Sequence, residues 1–364
     1  MLISKFQNYP NFKMENQLII DSLNKLYNEK PTEEKKIISN SQGWQNLNNN
    51  ETTYKGSKVI APNQTLDQIW KDNGLDFKAK PTEIFYKNHL GELIKTNDYQ
   101  GIINSNTGQL LNIPKNSYTI LQLETIKKVI ESVREHLAIE SIMNIDSKRF
   151  VINTYIKGCI GDVLKDDPIK RRCTFITSMD SSVGFTLALL DFRMFCFNQM
   201  NQVKQSQNMS FKHTASIPYL VERLPRVIDF NKHTFKEDIE TFKFMARTEI
   251  TEQQAKETLK KLFENEYKNK IVILNRRTKE QREKNVYDLV QTKPILDNLK
   301  VEAEKNGLTQ YSLHNAITNY YCNQQQSKNI KCPSEASRIR SESNLYGKGK
   351  TIIDRSKELC LSIR

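Results

Sequence analysis

The sequence predicts an α+β protein with a central antiparallel sheet and hairpins, followed by a helical, basic C-terminal part. Two observations carry this. Short alternating apolar runs separated by Gly/Asn turns occupy 83–114, and longer apolar runs fill 149–200. After Asn208 the apolar spacing becomes helical and stays so to the end. The organisation that follows is an N-terminal arm with one short helix (1–60), an α+β core domain (61–235) and a helical basic region (236–364).

In the arm, Leu18, Ile19, Leu23 and Leu26 stand at helical spacing, and the Asn-rich NLNNNETT reads as linker. Thr65 or Asn63 can cap a helix over LDQIWKDNG that Gly74 stops. EIFYKNHLGELIK (83–95) reads as strand, Gly91-containing turn, strand. GIINSNTGQLLNIP (101–114) repeats that design, with SNTG as its turn. Ile126, Val129, Ile130, Val133 and Leu137 predict a helix from Leu121 to Leu137, with His136 closing it as an imidazolium suited to the helix dipole. RFVINTYIKGCIGDVL (149–164) predicts one strand with its following turn, and 171–200 predicts two more strands around the turn MDSSVG. Further on, Thr251 and Gln254 form a capping box for TEQQAKETLKKLF. A helix over VYDLVQTKPILDNL is expected to break near Pro294, and another covers LTQYSLHNAITNYYC. Residues 323–350 read as a polar segment, before a last amphipathic helix over TIIDRSKELCLSI.

The chain has 364 residues, with 55 Lys+Arg against 42 Asp+Glu and a net charge of +13. Residues 241–364 hold 24 of those cations and 15 of the acids, net +9, leaving +4 for the first 240. Such asymmetry points to a polyanion, because Lys and Arg near phosphates release condensed counterions. The plainer reading is a set of solvated lysine faces. A hydrophobic content of 37% with 16 Phe and 14 Tyr can build a core. No apolar run approaches the ~18 residues of a membrane span, and Lys5, Gln7, Asn8 and Pro10 break the start, unlike a signal peptide. A cytoplasmic protein without membrane association is expected, and a homo-oligomer is left open.

No motif assigns a chemistry. The six cysteines lack CxxC spacing, and the five histidines lack HxxxH or HExxH spacing, so neither a metal nor a cofactor is expected. Cys159, Cys173 and Cys196 lie in apolar runs and read as buried free thiols. Gly349-Lys350-Thr351 matches the end of a phosphate loop, but Asn344 replaces the first Gly, and the preceding RIRSES is no buried strand. A flexible loop bringing Lys348 and Lys350 to a phosphate backbone fits better. Asp166, Asp167, Asp180 and His213 are the groups a metal-dependent enzyme acting on nucleic acid would use, although Asp and Ser populate turns for backbone reasons.

Basic residues with aromatic company suit single-stranded nucleic acid, where bases stack and phosphates pair with cations. Lys170, Arg171 and Arg172 precede Phe175, Arg193 stands in DFRMFCFN, and Arg276-Arg277 lie in ILNRRTKEQREK. Lys212 and His213 complete the candidate set with Lys348 and Lys350. The structural alternative for Arg193 is that a buried carboxylate holds it.

RRCTFITSMDSSVGFTLALLDFRMFCFNQM and the following FKHT resemble the phage/plasmid-like protein family, a domain of unknown function (932). Asp180 to Gly184, Arg193, Cys196, Asn198 and Lys212-His213-Thr214 carry the resemblance. SQGWQNL (41–47) with Trp44, 65–81, 107–122 and LTQYSLHNAITNYY extend it. The turn SMDSSVG departs from the family's His-Asp-Gly-Ser type, and Gln199 stands where a Thr often follows the Asn. The resemblance implies a mobile-element gene with no established activity, set among replication and recombination functions. The reading that results is a non-enzymatic nucleic-acid-binding accessory factor, with single-stranded DNA favoured as partner. An enzyme acting on nucleic acid and a structural or host-interaction protein are the alternatives.

Overall fold

The computed structural model describes residues 58–60, 64–194, 198–202, 210–211, 217–268, 273–274, 281–282, 284–325 and 333–363. Its strands are β1 (Lys58–Val59), β2 (Ala79–Thr82), β3 (Phe85–Lys87), β4 (Leu93–Lys95), β5 (Gly101–Asn104), β6 (Leu110–Asn112), β7 (Leu137–Ile145), β8 (Arg149–Leu164), β9 (Asp167–Ser178), β10 (Phe185–Arg193), β11 (Asn198–Gln202), β12 (Ser210–Phe211), β13 (Ile273–Leu274) and β14 (Gln281–Arg282). Its helices are α1 (Leu66–Asp72), α2 (Leu123–Glu131), α3 (Ile217–Arg247), α4 (Glu252–Leu262), α5 (Glu264–Tyr267), α6 (Thr292–Asn306), α7 (Gln310–Asn319), α8 (Pro333–Tyr346) and α9 (Lys348–Leu361). Helices and antiparallel sheets segregate along the chain, so the α+β expectation holds.

The main sheet runs β1-β7-β8-β9-β10-β11, with β12 also pairing β10, and every pairing is antiparallel. Tight turns link consecutive long strands, and positive φ at Asp146, Ser147, Asp166 and Ser181 marks those turns. All twelve residues of β9 are buried, so both of its faces are covered. Odd-numbered positions of β9 (Ile169, Cys173, Phe175) join the large core shared with α3, α4, α6, α7 and α9. Even-numbered Ile176 joins a smaller one with Met143, Val151, Ala188, Leu190 and Leu345. Helix α3 lays Leu224, Ile228, Phe235, Ile239 and Phe242 against the large core, and it passes through residue 235 as one element.

Both N-terminal hairpins form, β3–β4 around Gly91 and β5–β6 around Gly108, each glycine at positive φ. Thr65 and Thr251 make their capping boxes with Gln68 and Gln254. Four expectations are corrected. Helix α2 stops at Glu131, and Leu137 opens β7; the apolar stripe continues because it feeds the same core. His136 is therefore a buried residue between elements, and burial lowers its pKa to about 4, so it is neutral. Pro294 lies in the first turn of α6, where a missing N–H costs no hydrogen bond, so it does not interrupt that helix. Residues 333–346, read as polar segment, form α8. The arm predicted over 1–60 falls almost wholly outside the described residues.

Candidate functional site

The basic strand residues singled out by the sequence are interior. On the odd face of β9, Arg171 is fully buried and grips Asp191 through two bonds, Nε to Oδ1 at 2.8 Å and Nη2 to Oδ2 at 2.9 Å. Register placed this pair, since Asp191 lies directly opposite Arg171. The guanidinium also donates to the Asn231 carbonyl at 3.0 Å, to Thr234 Oγ1 at 2.8 Å and to Asp238, and Lys357 of α9 reaches Asp238 at 3.1 Å. One charge chain thus ties β9, β10, α3 and α9 together. Arg193 repeats the arrangement at the strand end. It donates to Asp167 at 2.6 Å and to Glu302 of α6 at 2.9 Å, while Tyr311 Oη of α7 donates to the same Asp167 at 3.0 Å. The buried-carboxylate alternative for Arg193 is the one observed.

On the even face, Glu140 receives Lys170 and Arg172, the latter at 2.6 Å. Burial pushes the Glu140 carboxyl up, but the two cations outweigh it and hold it below its ordinary range. Burial lowers Lys170 to about 8 against the opposing pull of Glu140. The Arg172 guanidinium lies 3.5 Å over the Phe192 ring. Beside it, Asn153 donates to Ser141 at 3.1 Å and accepts from Thr174 at 3.0 Å, a polar row across three strands. Desolvated charges of this kind are tolerated when paired, and every one here has carboxylate company. Their placement gives Lys170, Arg171, Arg172 and Arg193 an internal role; a solvent-borne phosphate does not reach them.

Lys348 is exposed and pairs with Glu266 at 2.7 Å, and Lys350 pairs with Asp354 at 3.5 Å. Gly349-Lys350-Thr351 is the first turn of α9, entered from helix α8 rather than from a strand, which separates it from a phosphate loop. Lys212, His213, Arg276 and Arg277 lie outside the described residues. Among the acids proposed for an enzyme, Asp167 is held by Arg193 and Tyr311. Asp180 accepts from the Ser182 amide at 3.0 Å and lies 3.4 Å from Arg149, and Asp166 is an exposed turn residue. Among the described residues no three His, Cys, Asp or Glu side chains converge as a metal-holding group.

Two exposed features were not singled out by the sequence. Lys260 and Lys261 end α4, and Arg355 of α9 donates to the Lys261 carbonyl at 3.0 Å, which brings a third exposed cation to the negative end of the helix dipole, with Glu264 close enough to feel Arg355. Their separation of almost a hundred residues hid the cluster. The second is the β3–β4 ribbon, whose six strand residues are all exposed, Phe85 and Tyr86 by about half of their surface. Among the described residues no helix is long and apolar enough to cross a membrane.

No curated protein and no solved structure matches the chain. Residues 111–343, from β6 through most of α8, match the family described as Domain of unknown function (DUF932). That span takes in the long strands, helices α2 to α7 and the buried charge clusters apart from Lys357 of α9. With well over half its length matched, the chain belongs to the family of the domain of unknown function DUF932.

Proposed function

We propose that this chain is a nucleic-acid-binding accessory factor of a phage or plasmid, which holds or anneals single-stranded DNA during replication or recombination. The observation that carries the reading is the exposed meeting of Lys260, Lys261 and Arg355 within the part of the chain that holds most of the +13 charge. The strand arginines are neutralised internally, so they add nothing to the charge offered to a partner. Backbone phosphates are its natural complement, since binding them releases counterions. The resemblance to phage/plasmid-like proteins supplies the setting.

Fluorescence anisotropy of a labelled oligothymidine titrated with the full chain tests this. Affinity should fall steeply with salt. Lys260→Glu, Lys261→Glu and Arg355→Glu combined should weaken it tenfold or more and flatten the logarithmic salt slope by about 2, the value for three lost phosphate contacts on a single strand. Undetectable binding at low salt would sink the proposal.

A further inference from the structure

The β3–β4 ribbon has an edge problem that the neighbouring β2 has solved. In β2 the outward-facing backbone belongs to Ala79 and Pro81, because Ser105 N–H donates to the Lys78 carbonyl and sets the alternation. Gln122 covers Ala79 with two hydrogen bonds, 3.1 Å to its N–H and 2.9 Å from its carbonyl, and Pro81 has no N–H to offer. That edge is closed by side-chain capping and proline. In β3 the Thr96 amide donates to the Ile84 carbonyl and the Asn88 amide to the Glu92 carbonyl, so even-numbered residues turn toward β4. Phe85 and Lys87 turn their N–H and C=O groups away from β4, and among the described residues β3 pairs with no other strand.

A two-stranded ribbon is marginal alone in water. This one also exposes Phe85, Tyr86, Leu93 and Ile94, with Tyr99 and Leu110 exposed nearby. Its charges cancel (Glu83 and Glu92 against Lys87 and Lys95, with Glu83 also 2.5 Å from Lys95 within the ribbon), which suits a protein surface better than a phosphate backbone.

We propose that β3 pairs antiparallel with β3 of a second copy of this chain, around a two-fold axis at Phe85, to give a four-stranded β4-β3-β3-β4 sheet. The alternation demands that odd residues oppose odd residues. Centring on Phe85 then sets Glu83 opposite the partner's Lys87, and Lys87 opposite the partner's Glu83, two opposite-charge cross-strand pairs. Tyr86 falls opposite the partner's Ile84, apolar against apolar. The β4 edge has no such solution: its self-pairings set Leu93 against Lys95, Gly91 against Lys95, or Lys95 against itself. Charge complementarity therefore selects one edge and one register, and an isologous pairing closes at two subunits. The ribbon precedes residue 111, so this surface lies outside the family-matched span. It is independent of DNA binding.

Sedimentation velocity on the full chain should show a closed dimer. Lys87→Glu should raise the dissociation constant at least tenfold, and Glu83→Lys/Lys87→Glu should restore it, which a loss of folding would not do. Phe85→Cys should form an intermolecular disulfide under mild oxidation, because residue 85 opposes itself at about 5.5 Å between Cα atoms. Wild type and Leu93→Cys should not cross-link. A monomer, an open-ended series of oligomers, or cross-linking through Leu93→Cys in place of Phe85→Cys would overturn the proposal.

Discussion

Asp167 and Arg193, at opposite ends of the β9–β10 pair in sequence, meet in the interior with Oδ1 and Nε 2.6 Å apart, and both side chains are almost fully buried. Asp167 is the first residue of β9 and Arg193 the last of β10, so the pair clamps the open end of the hairpin. Removing Asp167 leaves the buried Arg193 with Glu302 as its one remaining named carboxylate and takes the acceptor from Tyr311 Oη. Asp167→Ala should therefore destabilise by about 3–5 kcal/mol, while a joint Asp167→Leu/Arg193→Met replacement should cost much less. Urea unfolding of the three chains reads this directly, and equal losses in both variants would count against the clamp.

His314 gives the fold an acid sensitivity with a defined sign. Its Nε2 faces the Met200 carbonyl at 2.8 Å and must carry the proton, leaving Nδ1 to accept from the Ser356 hydroxyl at 2.8 Å. Burial pushes its pKa down to about 3, against the pull of the Met200 carbonyl. A group depressed on folding stabilises above its unfolded pKa of about 6.5, and that stability drains away as pH falls toward 3. His314→Asn should be less stable than wild type at neutral pH, with the gap closing on acidification. Thermal melts across that window test it, and a gap that widens toward low pH would reverse the assignment.

How far the sequence could be read depended on whether the determining contact was local. The β3–β4 and β5–β6 turns, a cap at Thr65, the Thr251 capping box and a strand starting at Arg149 are set within a few residues, and each was legible. The α2–β7 junction was not, because Val133 and Leu137 continue the helical stripe although the backbone has left the helix. The basic strand residues misled for a related reason. Arg171, Arg172 and Arg193 find their carboxylates 20, 32 and 26 positions away, on the adjacent strand for Arg171 and Arg193 and two strands over for Arg172. One signal was available: Asp191 and Arg193 share a strand face in an otherwise apolar run, a placement rarely left solvated.

Gly349 should resist the substitution that helices usually welcome. In an open helix, Gly→Ala gains about 1 kcal/mol. Here an added Cβ would clash with Asn344 Oδ1 and lie 3.0 Å from Ser343 Oγ, and the Gly349 amide already donates to Ser343 Oγ at 3.0 Å. The sign should invert, with Gly349→Ala destabilising by about 1–3 kcal/mol through overpacking. Lys350→Ala, which removes a partly buried i,i+4 pair with Asp354 and creates no clash, should cost about 1 kcal/mol or less. Were the segment a phosphate loop, Lys350→Ala would instead abolish nucleotide binding with stability intact, and calorimetry with ATP separates the outcomes.

The thiols should divide by burial. Cys159, Cys173 and Cys360 are free and buried, and desolvation pushes the thiols of Cys173 and Cys360 well above the ordinary range. Only the thiolate attacks an alkylating reagent, so both barriers act on those two side chains. Cys322 is half-buried, accepting from the Gln199 amide at 3.3 Å. Iodoacetamide at about pH 8, where an ordinary thiol is partly ionised, should label Cys322 at least tenfold faster than Cys173 or Cys360 in the native chain. Denaturant should erase the difference. Peptide mapping by mass spectrometry resolves each site, and native labelling of Cys173 at the Cys322 rate would mean that the β9–β10 core opens far more readily than its packing implies.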